Sequence, residues 1–165
     1  MIVLGIDTSL RSTGYAVVEK KGNSFSVLDY GNIKNKQSLL LSECLVRIRA
    51  KIGEVIDSSS PHAVAIEGVF FAKHAKTAMI LGHARGTAIE VCSSKGLNVY
   101  EYAPRRVKSA VTGVGSAEKS QVQSMVGRFL GITDNIQEDA ADAMAIAICH
   151  LNNSSGVAVF QTPEI

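Results

Sequence analysis

Met1-Ile-Val-Leu-Gly-Ile-Asp7 is a short, continuous apolar run that ends on an acid. A run of that length and composition reads as a buried strand. The polar stretch Thr8-Ser-Leu-Arg-Ser-Thr-Gly14 reads as a turn. Tyr15 to Glu19 then makes a second strand, Lys21-Gly-Asn-Ser24 a hairpin, and Phe25 to Ile33 a third strand. Three strands joined by short turns predict an antiparallel meander built outward from the first.

Beyond the meander the period changes. Leu41, Leu45, Ile48, Ile52, Val55 and Ile56 recur at spacings of three and four, which predicts an amphipathic helix over 38–58, stopped by Ser58-Ser-Ser-Pro61. His62 to Glu67 is a second apolar run ending on an acid. It is reached through a helix, so the right-handed crossover rule sets it parallel to the first strand. A helix over 76–94 with Gly96 as its cap, a strand over 97–102, and helices over 104–111, 117–130 and 138–151 complete the reading. The residues from Asn152 onward are polar and read as a loose tail. The result is an α/β fold: a five-stranded mixed sheet with helices on both faces.

This arrangement gives four acids a purpose. Asp7 and Glu67 end neighbouring parallel strands at one end of the sheet, where ligand sites of such sheets gather. Asp139 and Asp142 lie three residues apart in Glu138-Asp-Ala-Ala-Asp-Ala-Met-Ala-Ile-Ala147 and share one helix face. Desolvating a bare carboxylate is costly, so acids in apolar settings are paired, hydrogen-bonded or metal-bound. No equally buried base accompanies these runs, which points to a hard divalent cation and to metal-assisted hydrolysis of a phosphodiester. Taken singly, Asp139 and Asp142 would be read as favourable charge at a helix N-terminus. Asp7 and Glu67 alone would be strand-end acids in an even contest between structure and function. The set of four from three segments favours the metal site.

The bulk properties agree. The chain has 165 residues, 46% hydrophobic and 19% charged, which suits one domain with a real core. A net charge of +2 identifies no nucleic-acid binder by itself, although the remainder is distinctly basic once the four acids are set aside. Cys44, Cys92 and Cys149 are far apart, without zinc-ligand spacing, and read as reduced core thiols of a cytoplasmic protein. The N-terminal run lacks the basic flank of a signal peptide, and no stretch is apolar enough for a membrane span. Basic residues gather in Lys73, His74, Lys76, His83 and Arg85, then in Arg105, Arg106, Lys108 and Lys119, as candidate phosphate contacts, several of them ordinary solvated side chains.

The ordered set Gly5-Ile-Asp7, Thr13-Gly-Tyr-Ala-Val17, Ala65-Ile-Glu-Gly-Val-Phe70, Gly115-Ser-Ala-Glu-Lys-Ser-Gln-Val122 and Asp139-Ala-Ala-Asp-Ala-Met-Ala-Ile-Ala147 resembles the RuvC family, bacterial Holliday-junction resolvases of the RNase H-like superfamily. The likeness runs from residue 1 to about residue 151. It implies a nuclease domain over 1–152 and a flexible tail over 153–165. It also implies a homodimeric endonuclease that makes paired symmetric nicks in a four-way DNA junction. By match to the family motifs, Asp7, Glu67, Asp139 and Asp142 are the catalytic, metal-binding quartet. The resemblance implies Mg²⁺, two ions per site, with Mn²⁺ able to substitute. Phe70 matches an aromatic placed against junction bases, and Lys108 and Lys119 match basic residues near the scissile phosphate. Lys73 occupies a place where relatives use a basic or polar residue for DNA contact. The family further implies cooperation with the RuvA–RuvB branch-migration complex. One departure stands out: Thr8-Ser9 replaces the Pro-Gly that usually follows the first aspartate. Side-chain-to-backbone hydrogen bonds from Thr and Ser are expected to form the same tight turn.

Rival readings have weaker support. A YqgF-like or hybrid-cleaving nuclease of the same fold is disfavoured by Phe70 and the Asp139-Ala-Ala-Asp142 helix. An actin-like ATPase or sugar kinase, suggested by Gly5-Ile-Asp-Thr-Ser9, needs a second lobe. A non-cleaving junction-binding module would not keep all four acids.

Overall fold

The computed structural model describes residues 1–68, 75–133 and 136–154. Three strands come first: β1 (Ile2–Asp7), β2 (Ser12–Lys21) and β3 (Ser24–Lys34). Then follow α1 (Leu41–Ser59), β4 (Ala63–Glu67), α2 (Ala75–Ser94), β5 (Val99–Tyr102), α3 (Pro104–Thr112), α4 (Lys119–Leu130) and α5 (Glu138–Ser154). The strands form one sheet in the order β3-β2-β1-β4-β5. β1 is antiparallel to β2 and parallel to β4, and β4 is parallel to β5. The expected mixed sheet is present, with the expected parallel partner for β1. Among the described residues no helix is long and apolar enough to cross a membrane.

The strand period of two sorts side chains between two cores. Leu4, Ile6, Tyr15, Val17, Val64 and Ile66 face α1 and α2. Val3, Ala16, Val18 and Ala65 face α3, α4 and α5. Asp7 continues the Val3–Gly5 side and Glu67 the Ala63–Ala65 side, so both acids belong to the α5 face. That face is paved with small residues, and α5 lies directly on it. A methyl group on Gly5 would stand 2.0 Å from the Ala143 carbonyl oxygen, and one on Gly14 2.0 Å from the Asp139 carbonyl oxygen. The two glycines therefore set the depth of α5 against the sheet. The helix is buried nearly all round from Ala140 to Leu151, as its alanine-rich sequence requires.

Several boundaries differ from the sequence-based expectation, for local reasons. α1 starts at Leu41 rather than Ser38 because the Glu43 carboxylate accepts the Leu40 N–H at 2.7 Å. α4 starts at Lys119 rather than Ala117 because Gln121 takes the Glu118 N–H in the same way. β5 starts at Val99: Gly96 has φ of 75° and Leu97 N–H still closes the end of α2 on Cys92. α5 runs past Leu151 because Asn152 donates to Ala110 and Asn153 accepts from Arg106, so these polar residues are held rather than loose. Residues 155–165 lie outside the described residues.

Candidate active site

The four acids named from sequence come together at the carboxyl end of β1. Asp7 and Glu67 are adjacent because Ile6 pairs with Ile66, one residue before each acid. Asp7 also pairs with Gly14 of β2, and Gly14 carries the backbone of Asp139 above it. One register position thus joins the first strand to the first turn of the last helix, and Asp142 follows one helical turn later on the same side.

The electrostatics follow from this crowding. Burial pushes the Asp7 carboxyl up to about 7, and Asp142, Glu67 and Asp139 add to it, with Lys119 opposing. Burial also raises Glu67, reinforced by Asp142 and opposed by Lys119 and Lys108. Asp142 is raised by burial against the pull of Lys119. Carboxylates that repel one another, with Lys119 and Lys108 only partly offsetting their charge, have the chemistry that suits a hard divalent ion. Among the described residues no three His, Cys, Asp or Glu side chains stand close enough together to hold a metal ion. The side-chain partners show how the acids are held instead. Lys119 bridges Glu138 and Asp142, the latter at 2.9 Å. Asp139 accepts hydrogen bonds from Ser12 Oγ and, at 2.7 Å, from Asn32 Nδ2.

A cleft of about 250 Å³ opens beside the acids, lined by Glu67, Asp142, Lys108 and Lys119 with Pro104, Val107, Val122 and Ala145. The two lysines named from sequence therefore face two of the acids across one groove, a geometry that can hold a phosphate against the carboxylates. Burial works against the Lys119 charge, but its hydrogen bonds to Glu138 and Asp142 outweigh that and raise its pKa.

With the fold, the four acids and the two lysines in place, the relationship to known proteins is direct. A family model described as Crossover junction endodeoxyribonuclease RuvC matches residues 3–150. The chain belongs to the RuvC family of crossover junction endodeoxyribonucleases. A family member from Caldicellulosiruptor saccharolyticus is 42% identical over all of both chains. The Thermus thermophilus RuvC structure superposes with a TM-score of 0.85 at 34% identity, covering 93% of this chain and 95% of that one. T. thermophilus RuvC in complex with a Holliday junction substrate superposes with a TM-score of 0.90 at 29% identity, with both chains fully covered. Metal dependence is a general property of the family.

Other residues singled out from sequence have different fates. Phe70, Lys73 and His74 lie outside the described residues. Arg85 is not an open phosphate contact. Its side chain is 12% exposed, pairs with Glu101, and donates at 2.6 Å to the Glu67 carbonyl, pinning the end of β4. Arg106 stacks its guanidinium over Tyr102 and bonds Asn153, and His83 turns back onto the Met79 carbonyl. The turn after Asp7 is closed by Thr13 rather than by Thr8 or Ser9 side chains. The buried Thr13 hydroxyl donates to the Ser9 carbonyl and accepts the Ser9 N–H at 3.3 Å. Thr13 belongs to β2, so its hydroxyl reaches back across the turn it closes.

Ser12, Asn32 and Glu138 were missed as members of the site. Glu138 adjoins Asp139 and could have been suspected from that alone. Ser12 and Asn32 carry no signal in a single sequence, since only the antiparallel register of β2 and β3 brings them to Asp139.

Proposed function

We propose that this chain resolves Holliday junctions by paired metal-dependent nicks in two strands, in DNA recombination and repair. The observation that carries the reading is the convergence of Asp7, Glu67, Asp139 and Asp142 at one sheet end, with Lys108 and Lys119 lining the same cleft. Asp7 on the central strand, with Glu67, Asp139 and Asp142 around it, would hold the cation. The cation is Mg²⁺, two ions per site, with Mn²⁺ as a substitute. Bound there, it would supply Lewis-acid activation of the attacking water and stabilisation of the leaving 3′ oxygen.

The protein's own groups do the positioning. Lys108 and Lys119 hold the scissile phosphate over the acids by charge-assisted hydrogen bonds. Lys119 moderates the repulsion at Asp142 and so opposes the effect of burial on that carboxylate. Phe70 stacks on unpaired junction bases, where stacking contributes about 1–3 kcal/mol per base, and Lys73 contacts the backbone nearby. Symmetric cuts need two sites related by a twofold axis, hence a homodimer. On α2, Ala84 is buried in the core of its own chain, whereas Gly82 and Gly86 are exposed with open space above them. Met79, 65% exposed, lies on the same helical face, which is the proposed dimer contact. The enzyme works in the cytoplasm beside the RuvA–RuvB complex.

The test is cleavage of a labelled four-way junction with Mg²⁺ or with chelator, beside linear duplex and RNA–DNA hybrid. Paired nicks in the junction alone, only with metal, are expected. Asp7→Asn is expected to keep junction binding and abolish cleavage. Cleavage of the hybrid instead, or normal turnover by Asp7→Asn, overturns the proposal.

A further inference from the structure

Asp139 is held by two neutral donors from strands distant in sequence. Ser12 Oγ of β2 donates to Asp139 Oδ2, and Asn32 Nδ2 of β3 donates to the same oxygen at 2.7 Å and to Ser12 Oγ at 3.2 Å. Both bonds to the carboxylate fall on Oδ2, so Oδ1 is the oxygen available to a ligand. Two donors on one oxygen restrict rotation of the carboxylate, which a lone hydrogen bond would leave freer.

The amide of Asn32 is arranged at its own expense. Its Oδ1 is buried and has no hydrogen-bond partner among the described residues. Turning the amide over would satisfy nothing, because it would set a carbonyl oxygen against a carboxylate. An unsatisfied buried acceptor of this kind is uncommon in a purely structural residue and points to a demand from a neighbouring functional group. The donors are also of a suitable type. A hydroxyl and an amide orient the carboxylate without adding charge, whereas a lysine there would neutralise it and compete with a cation.

We propose that Ser12 and Asn32 are positioning residues that orient the Asp139 carboxylate as a metal ligand by holding its Oδ2. The inference rests on the metal-dependent reading above. Outer partners of metal ligands typically contribute about 10- to 100-fold in affinity or activity.

The test compares wild type with Ser12→Ala, Asn32→Leu, the double variant and Ser12→Thr. Mn²⁺ binding is measured by calorimetry without DNA, junction affinity in chelator, and thermal stability in chelator. The double variant is expected to bind Mn²⁺ about 10-fold more weakly or worse. It should need correspondingly more Mg²⁺ for half-maximal cleavage, and should bind the junction like wild type. Ser12→Thr, which keeps the hydroxyl, is expected to restore Mn²⁺ affinity to within about 3-fold of wild type. Asn32→Leu removes a donor to Asp139 as well as the orphaned acceptor, so its Mn²⁺ affinity should fall whichever way its melting temperature moves. Unchanged Mn²⁺ affinity in both Ser12→Ala and the double variant overturns the proposal, as does a loss of stability with no change in metal binding. Failure of wild type itself to bind Mn²⁺ would instead overturn the metal reading on which it rests.

Discussion

Replacing Asp7 by asparagine should stabilise the metal-free protein at alkaline pH while removing its activity. In the unfolded chain Asp7 titrates near 3.8; in the folded protein it is pushed up to about 7 by burial and by Asp142, Glu67 and Asp139. Between those values the folded state keeps a proton that the unfolded state has released. Stability therefore falls as pH rises from about 4 to about 7 and stays low above it. A tenfold change in a protonation equilibrium is worth about 1.4 kcal/mol, so the full displacement corresponds to about 4 kcal/mol. Partial exposure of the carboxylate and solvent screening reduce this to about 2 kcal/mol. Asparagine carries no such charge. In chelator at pH 8, Asp7→Asn should be about 2 kcal/mol more stable than wild type, or about 4–8 °C in melting temperature. At pH 3, below both values, where Asp7 is protonated in the folded and the unfolded chain alike, the difference should shrink to less than about 0.5 kcal/mol. Urea denaturation followed by circular dichroism across pH 3–8, at constant protein concentration, measures both. Comparing variant with wild type at each pH cancels His150, whose pKa is lowered to about 4 by burial and whose effect on stability runs the opposite way. Added Mg²⁺ should stabilise wild type and leave the variant nearly unchanged. A variant less stable than wild type at pH 8 in chelator, or a difference that does not change with pH, would refute the assignment of mutual repulsion at Asp7.

Three further outcomes are expected. Gly5→Ala would set a methyl group into the Ala143 carbonyl and should cost about 3 kcal/mol by denaturation, with a loss of cleavage as Asp139 and Asp142 move off the sheet; wild-type stability would show that α5 can shift freely. Lys119→Gln removes the cation that lowers Asp142 and Glu67, so the pH midpoint of cleavage should move up by about one unit, read from the pH–rate profile. Arg85→Lys keeps the charge but loses the fork that reaches both Glu101 and the Glu67 carbonyl, and should cut turnover about 10-fold with junction affinity unchanged in a binding titration.

Much of this protein could be read from one sequence. The apolar runs ending at Asp7 and Glu67 set two parallel strands and placed two acids at one sheet edge. The alanine-rich stretch after Glu138 declared a helix, and the spacing of Asp139 and Asp142 put both on one of its faces. Lys108 and Lys119 stood out as basic residues, but only the family motifs separated them from their neighbours Arg105 and Arg106. What escaped were contacts made across long separations in the chain: Arg85 looked like one more exposed base until its burial against Glu101 was seen. Thr8 and Ser9 looked like the residues that close the turn, yet the hydroxyl that does so belongs to Thr13.

By itself the sequence determined the fold class and the family and nominated four acids, because hydrophobic period and strand-end charges are local properties that survive in a linear string. Only the tertiary structure decided how deep α5 sits and how Asp139 is held. Those depend on what Gly5 and Gly14 leave room for, and on a strand register that carries Ser12 and Asn32 to a carboxylate more than a hundred residues away. Hydrogen bonds of that kind have no period and no neighbourhood in sequence, so packing geometry alone determines them.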